Sequence, residues 1–267
     1  METEMTSRER ILRALNHQDA DRVAIQDAIW ATTQARWHRE GYPEGVSPGA
    51  FFNFEMSRVG PDFTLQFPVE VLEETEEYRI HRNANGRVAK DWKNETSTPM
   101  LLGYAIETPD DWQAHKARLT PTADRIDWDR FEAQYQNARR KGLFFCLNGG
   151  VGYQVITGRV HPDQLLEYML TDPEWVRDMI DTQAELVLGL FQMMIEKGYE
   201  FDGYWCSDDL GYRNGLMFSP QVFRELVMPA HKKLCDFCHA HGIAAFLHTC
   251  GNVNEAVEDL IAVGWDC

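Results

Sequence analysis

Nowhere in the sequence does an apolar run approach the roughly 18 residues that a membrane-crossing helix needs. Nor does a hydrophobic segment follow the charged opening METEMTSRER, so nothing there reads as a secretory signal, and the cytoplasm is the expected compartment. Basic residues are scarce: 26 Lys and Arg stand against 42 Asp and Glu, a formal net charge of −16. Nucleic acid and membrane are therefore not expected partners, because binding phosphates takes a basic surface. No G-x-G-x-x-G or Walker pattern follows any strand candidate, which argues against an open nucleotide-binding sheet. The six cysteines (Cys146, Cys206, Cys235, Cys238, Cys250, Cys267) do not make a disulfide framework in a cytosolic chain of this size. CDFCH matches a haem-attachment pattern but lies inside a helical stretch, where Cys235 and Cys238, one turn apart, read as packing residues. The glycosylation-like triplet at Asn94 carries no weight in a protein that is not secreted.

What is present is globular. Hydrophobic residues make up 44% and charged ones 25%, enough for one large domain spanning 1–267. The opening TSRERILRALNHQDADRVAI holds a capping box, Thr6 with Glu9, and an apolar stripe at Ile11, Leu12 and Leu15. RVAIQDAIW and PDFTLQF are strand candidates, and the alternation around Asn85-Gly86 predicts a hairpin inserted into the main rhythm. From Trp112 onward strands and helices alternate: WDRFEAQYQNARRKG, LFFCLNGG, two helices either side of Asp172-Pro173, FDGYWCSDD, a helix from Ser219-Pro220 to Gly242, and IAAFLH. Such alternation implies βαβ units and a parallel sheet, here an α/β fold of the (β/α)8 TIM-barrel type.

Chemistry-bearing residues fall just after the strands, on the face where such barrels build their sites. In AAFLHTCGN, His248 and Cys250 are two positions apart and so point to one side of a strand. Two readings stay open: a buried histidine beside a small apolar cysteine, or half of a metal site. Asn252 with Glu255 predicts the start of a helix. In CSDDLGYRNG, Asp208 and Asp209 are adjacent, so one of them at most faces the mouth, and the other holds loop backbone or a basic side chain. Capping or a catalytic role are the alternatives for this pair; Tyr212 follows as a candidate binding residue. In LNGGVGYQVITG, Asn148 and Gly149 follow a strand as candidate binding residues, Gly149, Gly150 and Gly152 permit close approach of a ligand, and Tyr153, a further candidate, offers a ring and a hydroxyl. A tight strand-to-helix turn is the alternative there.

Together these stretches resemble the uroporphyrinogen decarboxylase superfamily, and more closely its cobalamin-dependent methyltransferase-like branch. The likeness is carried by MTSRERILRALNHQDADRV and, above all, by DDLGYRNGLMFSPQVFRELVMPAHKKLCDFCHAHGIAAFLHTCGNV with its H-x-C-G ending. It implies a TIM barrel with zinc held by His248 and Cys250, and a methyl group passing between a methylated corrinoid (methylcobalamin as co-substrate) and a small thiol or folate acceptor. A corrinoid protein is the implied partner.

Two departures accompany the resemblance. Members of the branch have a further zinc-ligating cysteine well downstream, whereas this sequence stops at Cys267, at the expected start of a new strand. About six barrel strands are countable, which implies a C-terminally truncated or unusually short form whose open sheet edges would suit a homo-oligomer. The arginine-bearing N-terminal segment of the decarboxylase branch is also absent: RVAIQDAIWATTQARWHREG retains Arg36 and Arg39 without the pattern. Porphyrinogen decarboxylation is therefore the second expectation, and a non-catalytic corrinoid- or partner-binding barrel the third.

Overall fold

The computed structural model describes residues 4–94 and 98–267; Glu95 and Thr96 of the glycosylation-like triplet lie outside them. Helix α1 (Ser7–Leu15) starts at the expected box, the Thr6 hydroxyl accepting from the Glu9 amide and the Glu9 carboxylate from the Thr6 amide. Helices α2 (Ala31–Arg39) and α3 (Pro48–Phe51) and strand β1 (Met56–Val59) follow. Strands β2 (Glu70–Glu74), β3 (Tyr78–Arg82), β4 (Val88–Trp92) and β5 (Met100–Gly103) then form a separate antiparallel sheet in that order. Its β3–β4 hairpin is the predicted one, closed by the Gly86 amide donating to the Asn83 carbonyl.

The rest alternates as the sequence implies: α4 (Pro109–His115), α5 (Trp128–Lys141), β6 (Phe144–Gly149), α6 (Tyr153–Thr157), α7 (Pro162–Thr171) and α8 (Pro173–Glu196). Then come β7 (Gly203–Ser207), the short pair β8 (Gly211–Tyr212) and β9 (Gly215–Leu216), α9 (Pro220–Val222), α10 (Met228–Ala240), β10 (Ala244–His248) and α11 (Val257–Val263). Side-chain oxygens of Asp127, Asp172 and Ser219 cap α5, α8 and α9, with Pro173 and Pro220 at first helical positions. A π-helical turn, Phe223–Val227, joins α9 to α10.

Strands β1, β6, β7 and β10 pair in that order, all parallel. Side-chain alternation gives the sheet two faces. Phe145, Leu147, Tyr204, Cys206 and Ala245 join the main core with α5, α8 and α10, where Cys235 and Cys238 are buried packing residues. Phe144, Cys146 and Phe246 face the other way and pack on Ile11 of α1. Each fully buried Phe or Leu favours this arrangement by about 1.5–3 kcal/mol over exposure.

The architecture is a TIM-barrel-like α/β fold, with corrections to its detail. Four strands, not six, make the parallel ladder among the described residues. PDFTLQF is not a strand: the Asp62 carboxylate and Thr64 hydroxyl accept from the Thr64 and Gln66 amides and turn the chain locally. RVAIQDAIW runs beside β1 but reaches it mainly through side chains, the Glu55 carboxylate accepting from the Ile25 amide and the Gln26 amide oxygen from the Met56 amide. On the far side the backbone of Asp266 and Cys267 bonds to Ala245 and Leu247 of β10. The last helix begins at Val257, after a 3-10 turn at Asn254–Ala256 whose N-cap is Val253; Asn252 caps neither, and its side chain accepts from the Asn254 amide in a local turn ahead of them.

Candidate metal centre

Because β6, β7 and β10 are parallel, Asn148, Asp209 and His248 come to one mouth of the sheet, as the strand-end placement implied. His248 is level with Ser207 of β7, and the His248 Nε2 lies 3.5 Å from the Cys250 Sγ. Both side chains are exposed. Between them Thr249 points away and its hydroxyl accepts from the Leu210 amide, tying β10 to the loop after β7. The chain leaves through Gly251 at φ +80°, where a Cβ would sit 2.2 Å from the Gly211 carbonyl carbon. Only glycine allows that approach. Tyr212, exposed on the adjoining hairpin, contributes its carbonyl, which accepts from the Asn252 amide.

The two aspartates part company, as neighbours at a strand end should. Asp209 faces the His–Cys pair: one of its oxygens lies 3.7 Å from the His248 Nε2 and accepts from the Cys250 amide at 3.0 Å. Its other oxygen accepts from the Gln154 side-chain amide at 2.7 Å. Donor atoms of Asp209, His248 and Cys250 all lie within 4.8 Å of one another. Hydrogen bonding to Asp209 holds the Cys250 thiol pKa above its ordinary value.

Asp208 turns inward and is fully buried. It accepts from the backbone amides of Tyr153 and Gln154 at 3.2 and 2.6 Å, holding the start of α6. Its third partner is the buried His231, whose Nε2 is 3.0 Å from both Asp208 and the Val151 carbonyl. With two acceptors there, Nε2 carries the proton. The pair fills the space that Gly152 leaves: at φ +115°, a Cβ on Gly152 would come within 2.1 Å of the Asp208 carboxylate. Close approach at this glycine thus serves a side chain of the protein itself.

Tyr153 is buried in the core, its ring 5.1 Å from that of Phe218, and burial with the nearby Asp208 pushes its hydroxyl up to about 12. It meets Asp208 through its backbone. Gly149 is buried against Phe63 and Tyr204, whereas Asn148 is exposed at the mouth. Gln154 and His231 were not singled out in the sequence. Gln154 sits among apolar residues of a short helix, and His231 occupies an ordinary core position of α10, so neither carries a local signal.

Residues 151–267 match the family model described as uroporphyrinogen decarboxylase (URO-D). This segment is similar to the uroporphyrinogen decarboxylase family. The Asp208–Asp209 pair and the His248–Cys250 pair both lie inside it. No curated protein matches the chain. Among solved structures, a methyltransferase from Methanosarcina mazei shares the fold with a TM-score of 0.62 at 17% identity, covering 98% of this chain and 75% of that one. That shared fold also covers the N-terminal part that the family model leaves unmatched.

The donor set suits a borderline metal such as zinc. Imidazole nitrogen, thiolate sulfur and carboxylate oxygen are its usual protein ligands. In tetrahedral zinc an N and an S ligand stand about 3.6 Å apart, and His248 and Cys250 already present theirs at 3.5 Å. Cys267 is not in the cluster; its backbone lies beside Ala245 and Leu247.

Proposed function

We propose that this URO-D-superfamily protein is a zinc-dependent methyltransferase that moves a methyl group between a methylated corrinoid and a thiol or folate acceptor. The observation that carries the reading is the His248–Cys250 pair, pre-aimed from the end of one strand at ligand-to-ligand distance and open to solvent. Bound zinc would supply Lewis acidity, stabilising the thiolate of an acceptor at neutral pH and leaving it nucleophilic. The protein's own residues hold the pair in place: Gly251 sets the turn, Thr249 ties β10 to the loop after β7, and Asp209 fixes the Cys250 amide. Asn148 and Tyr212, exposed at the mouth, offer an amide and a phenol to orient the acceptor. Of the two aspartates, Asp209 alone is placed to meet reactants, and Asp208 is a positioning residue for the α6 loop. A methylated corrinoid, delivered free or on a partner protein, would have to approach the same open mouth.

The test is methylcobalamin demethylation by the zinc-loaded chain, followed by the absorbance change of the corrinoid across a panel of thiols and a reduced folate. Acceptor-dependent demethylation that is lost in Cys250→Ser supports the reading. Absence of demethylation with every acceptor overturns it.

A further inference from the structure

Two protein ligands hold zinc weakly; catalytic zinc sites have three and keep a fourth position open. The third is legible here. We infer that Asp209 is a ligand of the metal, and that Gln154 is the positioning residue that aims its carboxylate. This rests on the zinc reading above.

Distance supports the assignment first. Ideal tetrahedral separations are about 3.6 Å for N to S and about 3.3 Å for N to O. The observed values are 3.5 Å from His248 to Cys250 and 3.7 Å from His248 to Asp209. The third separation, Cys250 to Asp209, is within 4.8 Å. The second support is that Asp209 is already oriented. One oxygen accepts from the Cys250 amide and the other from the Gln154 side chain, yet each carboxylate oxygen has two lone pairs, so each retains one for a cation. Ligands fixed in this way by outer hydrogen bonds are the usual design of a metal site.

Chemistry excludes the neighbour. Asp208 spends its oxygens on two backbone amides and His231 and is fully buried, so it has no free direction toward the mouth. The same Gln154 donates its backbone amide to Asp208 and its side-chain amide to Asp209. It thereby links the buried aspartate to the exposed one, and the rigidity of the α6 loop sets where the Asp209 carboxylate lies. Charge closes the argument: one thiolate and one carboxylate neutralise a divalent cation, with a neutral imidazole as the third donor.

The experiment measures metal affinity directly, by competition with a chromophoric zinc chelator, and coordination by the absorption spectrum of the cobalt(II)-substituted protein. Wild type, Cys250→Ser, Asp209→Asn and Gln154→Leu are compared, with thermal melts confirming that each is folded. Asn at 209 keeps an oxygen for the Cys250 amide, so a loss of affinity there reports the ligand and not the loop. Gln154→Leu is expected to weaken zinc about 10–100-fold, the usual cost of an outer hydrogen bond, and Asp209→Asn by more. Cobalt in Asp209→Asn should retain the thiolate charge-transfer band while its ligand-field bands change. Unchanged affinity and spectrum in Asp209→Asn, with affinity lost in Cys250→Ser, would overturn the third-ligand assignment and leave the zinc reading standing. Unchanged affinity in Gln154→Leu alone would remove its positioning role. If Cys250→Ser binds zinc as wild type does, the zinc reading fails and this inference falls with it.

Discussion

The imidazole of His231 and the carboxylate of Asp208 meet at 3.0 Å with both side chains fully buried, one from α10 and one from the end of β7. Their contact lies directly under the loop that carries Gln154 toward the candidate metal ligands. Stability and site geometry are therefore coupled at this point.

Asp208→Asn should destabilise the protein by about 2–3 kcal/mol, the scale of a hydrogen bond to a charged group and of a buried donor left unsatisfied. Three donors point at this side chain, and an asparagine meets one of them with its own NH2 group. Urea unfolding with an unchanged slope is the measurement; a midpoint equal to that of wild type would contradict the account.

Gly152→Ala should cost about 3 kcal/mol or more. The backbone at φ +115° disfavours any side chain, and the added methyl would collide with the Asp208–His231 pair. Alanine at Gly198, which is also at positive φ but has nothing within 4 Å, is the control for the backbone effect alone. Equal losses at the two positions would show that the collision contributes nothing.

A buried ion pair at the opposite end of the sheet predicts acid sensitivity. Burial alone would raise the Glu55 pKa, but the Ile25 amide and the Arg22 and Arg10 guanidiniums outweigh it, and the net shift is downward from 4.5. A depressed folded-state value means that Glu55 contributes stability above its unfolded pKa, and that this is lost as pH falls through the folded value. Glu55→Gln should cost roughly 3 kcal/mol at pH 7. The gap between variant and wild type should narrow in melts below about pH 4.5; a gap that widens there would reverse the sign.

No turnover of uroporphyrinogen is expected. Arg36 and Arg39, the arginines retained in the N-terminal region, lie exposed on α2, where Arg36 pairs with Glu40 and Arg39 donates to the Ala35 carbonyl. Neither offers a free guanidinium in the pattern that the decarboxylase branch uses for carboxylates. Coproporphyrinogen formed from uroporphyrinogen by the purified chain would promote the decarboxylase reading.

Local chemistry fixed much of this molecule in advance. The Thr6–Glu9 box, the Asp172-Pro173 and Ser219-Pro220 helix starts and the Asn85-Gly86 hairpin are short-range signals, and each governs the element expected of it. His248 and Cys250 were legible for the same reason, since a two-residue period alone puts them on one side of a strand. Tertiary structure decided the rest. PDFTLQF has the residues of a strand, but side-chain bonds within it outcompeted pairing, and the parallel ladder among the described residues has four strands. Which aspartate faces the mouth depended on His231, 23 residues onward, and on the amides of Tyr153 and Gln154, about 55 residues back. Spacing along a strand fixes direction; convergence of three parallel strand ends depends on packing between segments that the sequence leaves far apart.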